Sequence, residues 1–231
     1  MLLFRAISVA VAAGSVVAFI ISAQDILAVD DSATLTGPDS TLKLYCKPQP
    51  AGIWESDSVG SGFRTGLRAA SFSLGGGFAT HELGGTVPHD VGFTRLSYSR
   101  ILGKVVGRDQ WYRGNWELMQ ELFGGMQAHP AKGRYVIGES TLLRYNFATG
   151  TRWIPFIEAG AGLSATDIGR PDLGSVFEFN MQTGSGVHYF WRSSTALTFQ
   201  YRLTHLCNAG IKRPNQGISE NMFYVGVSWF F

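Results

Sequence analysis

The residues best suited to chemistry are His205 and Cys207, in the stretch TFQYRLTHLCNAGIKRPNQG at 198–217. An imidazole beside a thiol is a base–nucleophile pair. The imidazole takes the thiol proton and the thiolate attacks an electrophilic carbonyl. A plainer alternative is one histidine and one cysteine at an interface, doing little. The other histidines offer no competing site. His81, His89, His129 and His188 are scattered, without metal-ligand spacing. GSGFRTG and LGGGF are glycine-rich but do not match a phosphate loop opening a helix. GESTL is not a Gly-x-Ser-x-Gly elbow. The expected site therefore uses neither metal nor cofactor.

The pair needs a strand to position it. Leu197, Phe199, Tyr201 and Leu203 alternate with Thr198, Gln200, Arg202 and Thr204. Continuing by twos, His205 and Cys207 join the apolar row, about 7 Å apart on an ideal strand. The same period of two runs through most of the chain from Gly66 onward. It predicts eight strands, at about 66–81, 89–102, 111–127, 134–147, 152–166, 177–191, 194–208 and 220–231. No segment has the length and 3.6-residue period of a helix. In the sixth strand Phe177, Phe179, Met181, Val187, Tyr189 and Trp191 share one face. Glu178, Asn180, Gln182, Gly184, Gly186 and His188 share the other. The fifth strand places small residues and Glu158 opposite Trp153, Pro155 and Ile157. That mixture suits a narrow lumen filled with side chains, and it argues against an open pore. Glu158 and Glu178 are expected to pair with an inward Arg202. Glu139 and Arg95 do not sort by parity.

Composition agrees. Charged residues are 16% of the 231, against about 25% in an average soluble chain. There are 16 Phe, 8 Tyr, 6 Trp and 29 Gly. The net charge of +2 and the lack of a basic run exclude a nucleic-acid reader. Residues 1–28 carry Arg5 and the run AISVAVAAGSVVAFI, as an export signal does. Residues 29–65 are irregular, and 66–231 form the domain. The chain ends on NMFYVGVSWFF, with Phe223, Val225, Val227, Trp229 and Phe231 on one face. Tyr224, Gly226, Trp229 and Phe231 resemble the terminal signal read by the outer-membrane barrel-assembly machinery. The expected fold is all-β: an eight-stranded antiparallel transmembrane β-barrel of the outer membrane. Such a barrel has no edge, as lipid demands. With both termini periplasmic, turn 192–194 is periplasmic and loop 208–219 extracellular. His205 and Cys207 then sit at the outer rim. Cys46 falls on the periplasmic side, about 25 Å away across the apolar band. A disulfide needs Cα atoms within about 7 Å, so the two cysteines are expected to be unpaired.

YRLTHLCNAGIKRPNQGI resembles the C-terminal signature of the PagL-like lipid A deacylases, the acyloxyacyl hydrolase family. That signature is His-x-Ser-Asn-Ala-Gly, then Pro-Asn-x-Gly-Ile, then a last short strand. The match is specific over about 201–218 and looser over 66–231, where GNWELMQELFGG agrees. The resemblance implies a membrane-facing esterase that removes the 3-O-linked acyl chain of lipid A. It makes lipid A, or lipopolysaccharide, the substrate partner and leaves the oligomeric state open. Carried over by residue, His205 is the general base, and Asn208 and Gly210 belong to the oxyanion site. Cys207 stands where the family has its nucleophilic serine. An ungapped count places the family's glutamate at Ser219, and the nearest carboxylate is Glu220. By parity Glu220 faces the lumen while Ser219 and Asn221 face lipid, so Glu220 needs a bulge to reach His205. The alternative is a catalytically weak or inactive structural or interaction barrel of the same family.

Overall fold

The computed structural model describes residues 65–80, 84–107, 109–130 and 133–231. The expected export signal and nearly all of the irregular extension, with Cys46, lie outside the described residues. Alternating residues on a pleated backbone put one row inward and one outward, and the chain repeats this in every strand. The strands are β1 (Arg68–Thr80), β2 (Asp90–Ile101), β3 (Gly114–His129), β4 (Tyr135–Phe147), β5 (Trp153–Thr166), β6 (Phe177–Phe190), β7 (Thr195–Cys207) and β8 (Ile218–Phe230). Each pairs antiparallel with the next, and β1 pairs with β8 to close the barrel. No helix of the described residues is long and apolar enough to cross a membrane.

The boundaries fall within three residues of the sequence reading, and the starts of β3 and β8 are the differences with a structural consequence. β3 starts at Gly114 because 109–113 turns, with the Arg113 N–H donating to Gln110 O at 3.0 Å, and the bridge between Val106 and Gly114 pins its start. β8 starts at Ile218, two residues earlier than expected, so Ser219 and Glu220 lie inside the ladder.

The outer wall is apolar: Leu74, Phe78, Leu96, Met181, Phe223 and Val225 are each at least half exposed. The lumen is filled in three layers. At the end with turns 148–152 and 191–194, Ile154, Phe190, Ala196 and Phe230 form one apolar plug. At the opposite end, Val91, Leu206, Ile218 and Met222 form another, with Ile168 and Leu173 folded in from loop 167–176. Between them lies a charged layer. Arg202 is fully buried and bonds Glu121 at 2.6 Å and Glu158. Arg144 bonds Glu158 at 2.8 Å, and Arg95 lies 3.4 Å from Glu121. Arg95 therefore belongs to the lumen, stacked over the Tyr224 ring at 3.2 Å, and Glu139 takes the outer row with Ile137 and Leu143. Glu158 pairs with Arg202 as expected, but Glu178 does not. Its Oε1 takes the Ser175 hydroxyl at 3.0 Å, and its Oε2 has no hydrogen-bond partner among the described residues. The reason is depth: Glu178 starts β6 near the outer mouth, four residues above Gln182, the β6 residue that reaches Arg202.

Candidate functional site on the lipid-facing wall

β7 runs outward, and its inward row, Arg202, Thr204 and Leu206, is buried. His205 and Cys207 occupy the outward row and are partly exposed. The imidazole is fixed from the neighbouring strand. His205 pairs in register with Ser219, and His205 Nδ1 lies 2.8 Å from Ser219 Oγ. Glu220 is one residue further and opposite Thr204. Its carboxylate is buried on the lumen side, with Oε1 unpartnered among the described residues. The β7–β8 register runs unbroken from Leu206–Ile218 to Thr195–Trp229, so no bulge turns Glu220 outward. The sequence expectation that Glu220 serves His205 is corrected by that continuity: the wall of the barrel lies between them. Asn221 also faces out, but its Oδ1 accepts the Tyr201 hydroxyl at 2.6 Å, not His205. Cys207 is a free thiol, and among the described residues no hydrogen bond joins it to His205.

The chain then turns sharply. Asn208–Ala209–Gly210–Ile211 closes with the Ile211 N–H donating to Asn208 O at 3.0 Å. Both central residues have positive φ, 52° at Ala209 and 81° at Gly210, the signature of a type I′ turn. Ala209 is the single non-glycine residue with positive φ among those described. A side chain is held there only when its surroundings enforce it. Asn208 supplies the enforcement. It is fully buried, and its Oδ1 accepts the Gly210 N–H at 3.1 Å. Its Nδ2 donates to Lys212 O at 2.9 Å and to Ser175 Oγ at 3.1 Å. Asn208 and Gly210 thus hold each other, and the Asn208 amide group is engaged both within its own loop, at Lys212, and by Ser175 of loop 167–176.

The loop 208–217 is also tied to two others. Asp172, in loop 167–176, is fully buried and gathers residues 84–89 around its carboxylate. Oδ1 accepts the Thr86 N–H at 2.7 Å and the Thr86 hydroxyl; Oδ2 accepts the Val87 N–H at 3.0 Å and contacts His89 Nε2 at 3.0 Å. Burial alone would raise this carboxyl, but the hydrogen bonds from Thr86, His89 and Val87 hold it below its ordinary value. The Asp172 carbonyl accepts the Gln216 N–H at 2.9 Å, and Leu173 bridges to Asn215. Asn215 Oδ1 in turn accepts the Asn208 N–H at 2.9 Å. Next in the chain, Gly217 has φ +78°, and a Cβ there would sit 2.5 Å from His205 Cε1. Gly217 therefore fits under the imidazole only because it has no side chain.

Sequence reading identified His205, Cys207, Asn208 and Gly210 as neighbours, and the structure places them on one strand end and its turn. It missed Asp172, Thr86 and Ser175, and it set His89 aside for lack of metal spacing. No local pattern marks these residues, because they meet only when three loops converge. Among the described residues, no cluster of His, Cys, Asp and Glu could hold a metal.

Fold and site define a class: an outer-membrane barrel with a polar, histidine-centred site on its lipid-facing wall. A family model described as lipid A 3-O-deacylase (PagL) matches residues 93–228. The chain belongs to this PagL family. It is 31% identical over 172 residues to the lipid A deacylase PagL of Pseudomonas aeruginosa, covering 72% of this chain and 88% of that one. The crystal structure of the outer membrane enzyme PagL is similar at TM-score 0.50 and 23% identity, covering 67% of this chain and 97% of that one. Neisserial surface protein A shares the barrel at TM-score 0.52 and 15% identity, covering 72% of this chain and 99% of its own. The protein is thus a bacterial outer-membrane barrel of the PagL family.

Proposed function

We propose that the protein is a carboxylic ester hydrolase of the outer leaflet that removes the 3-O-linked acyl chain of lipid A. The observation that carries this reading is His205, held by Ser219 on the lipid-facing wall with Cys207 next in the same row. A lipid-facing site suits a substrate that does not leave the membrane. With Nδ1–H donated to Ser219, Nε2 of His205 takes the Cys207 proton. The thiolate adds to the ester carbonyl carbon and the carbonyl electrons move to oxygen. The oxyanion is met at the Asn208–Gly210 turn. Its donors are the Ala209 N–H, without a partner among the described residues, and the Asn208 amide once it releases Lys212. Collapse breaks the bond to the sugar oxygen, which takes its proton from His205, and leaves a thioester on Cys207. Water, deprotonated by His205, then attacks the thioester. The C–S bond breaks, the fatty acid departs and the thiol is restored.

The competing reading is a weak or inactive barrel, favoured by the absence, among the described residues, of a carboxylate bonded to His205. Expression in a Gram-negative host and mass spectrometry of its lipid A decide between them. Loss of one hydroxyacyl chain is the expected result. Unchanged lipid A alongside a verified folded barrel would overturn the esterase reading.

A further inference from the structure

Asn221 is left over from the chemistry described above. It faces lipid from β8, with Leu203 opposite it on β7 and Phe78 opposite it on β1. Phe223 follows it on the same face and packs against Tyr201 at 5.3 Å and Phe78 at 6.1 Å. An amide is thus set in an apolar wall. Its Oδ1 accepts the Tyr201 hydroxyl at 2.6 Å, which fixes which way the group points. Its Nδ2 donates to no described residue. Hydrocarbon offers such a donor nothing, and an unpartnered amide there is unfavourable. A polar side chain held at membrane depth with an open donor is a candidate for meeting a polar group of the lipid. Asn221 lies one residue pair below His205 and Ser219, about 7 Å along the strand toward the membrane centre.

We infer that Asn221, oriented by Tyr201, is a specificity-determining hydrogen-bond donor for a second acyl carbonyl on the substrate lipid, next to the ester being cleaved. This rests on the esterase reading and assigns to Asn221 the recognition of a substrate with more than one acyl group. A single-chain ester has no second carbonyl to place there. Tyr201 acts through Asn221 as a positioning residue, because its hydroxyl is already committed to Oδ1.

The test compares wild type, Asn221→Leu and Tyr201→Phe as folded full-length barrels in detergent micelles, with folding checked by heat-modifiable migration. Two esters are used: lipid A and p-nitrophenyl dodecanoate. The ratio of kcat/KM for lipid A to that for the simple ester is expected to fall about tenfold in Asn221→Leu, and about threefold in Tyr201→Phe. Equal losses on both esters, or no loss on either, would overturn the inference. A second arm places the same substitutions in a Cys207→Ala background and titrates lipid A by native mass spectrometry. Asn221→Leu is expected to weaken binding about tenfold, and unchanged binding would also overturn the inference. If wild type cleaves neither ester, the esterase reading fails and the binding arm alone decides whether Asn221 recognises the lipid.

Discussion

At the residue scale, the question is how a histidine works with a serine where the family places a glutamate. A carboxylate would fix the tautomer and stabilise the imidazolium, and its loss from a triad is costly, about 10⁴ in rate in the serine protease case. Ser219 fixes the ring but brings no charge. Ser219→Ala should therefore lower the rate about tenfold, the size of one hydrogen bond. Ser219→Glu should raise it, since it puts an anion on the lipid side of the wall, next to Nδ1. Glu220→Ala should leave the esterase rate within about twofold, because its carboxylate lies in the lumen. Steady-state kinetics on lipid A read all three. Cys207→Ala should cost at least about a thousandfold, as removal of a nucleophile does. Cys207→Ser should retain or raise activity. Full activity in Cys207→Ala would remove the thiol from the mechanism.

At the element scale, the site depends on three loops fastened at Asp172. The carboxylate is held below its ordinary value in the folded protein. Its contribution is therefore fully present above the unfolded value, near pH 4, and is lost as pH falls through the lower folded value. The clasp should hold across neutral and mildly acidic conditions, and hydrogen exchange in residues 84–89 should rise only in stronger acid. Asp172→Ala should increase that exchange at neutral pH and lower kcat about tenfold or more, while the barrel still migrates as folded. Gly217→Ala should act more locally. Its methyl would overlap the His205 ring, so kcat should fall without any change in loop exchange. A loss of both in Gly217→Ala would mean that the loop, not the imidazole, is what Gly217 protects.

At the scale of the whole molecule, the barrel separates stability from chemistry by its wall. The charged layer of Arg95, Glu121, Arg144, Glu158 and Arg202 is on one side and the site on the other. Removing one member of a buried ion network leaves the rest uncompensated, typically at about 3–5 kcal/mol. Arg202→Met should lower unfolding stability by about that much in urea titrations from lipid vesicles. Once folded, its kcat should stay close to wild type. A large loss of kcat in fully folded Arg202→Met would show that the lumen reaches the site through the wall.

The period-two pattern is local, so the chain alone determined eight strands, their inward and outward rows, and the place of His205 and Cys207 on the lipid side. Parity is a property of adjacent residues, and by itself it also put Glu220 on the lumen side. Register is not local. That Ser219 and not Asn221 meets His205 depends on β7 and β8 pairing without a bulge, and no short stretch of sequence encodes that. Glu178 pointed inward as parity required, yet its depth in the barrel kept it from Arg202. Asp172, Thr86 and His89 lie up to 86 residues apart and acquire a role only where loops converge above the barrel. Alternation fixed which wall each residue lines; closure of the barrel and convergence of its loops decided which residues meet.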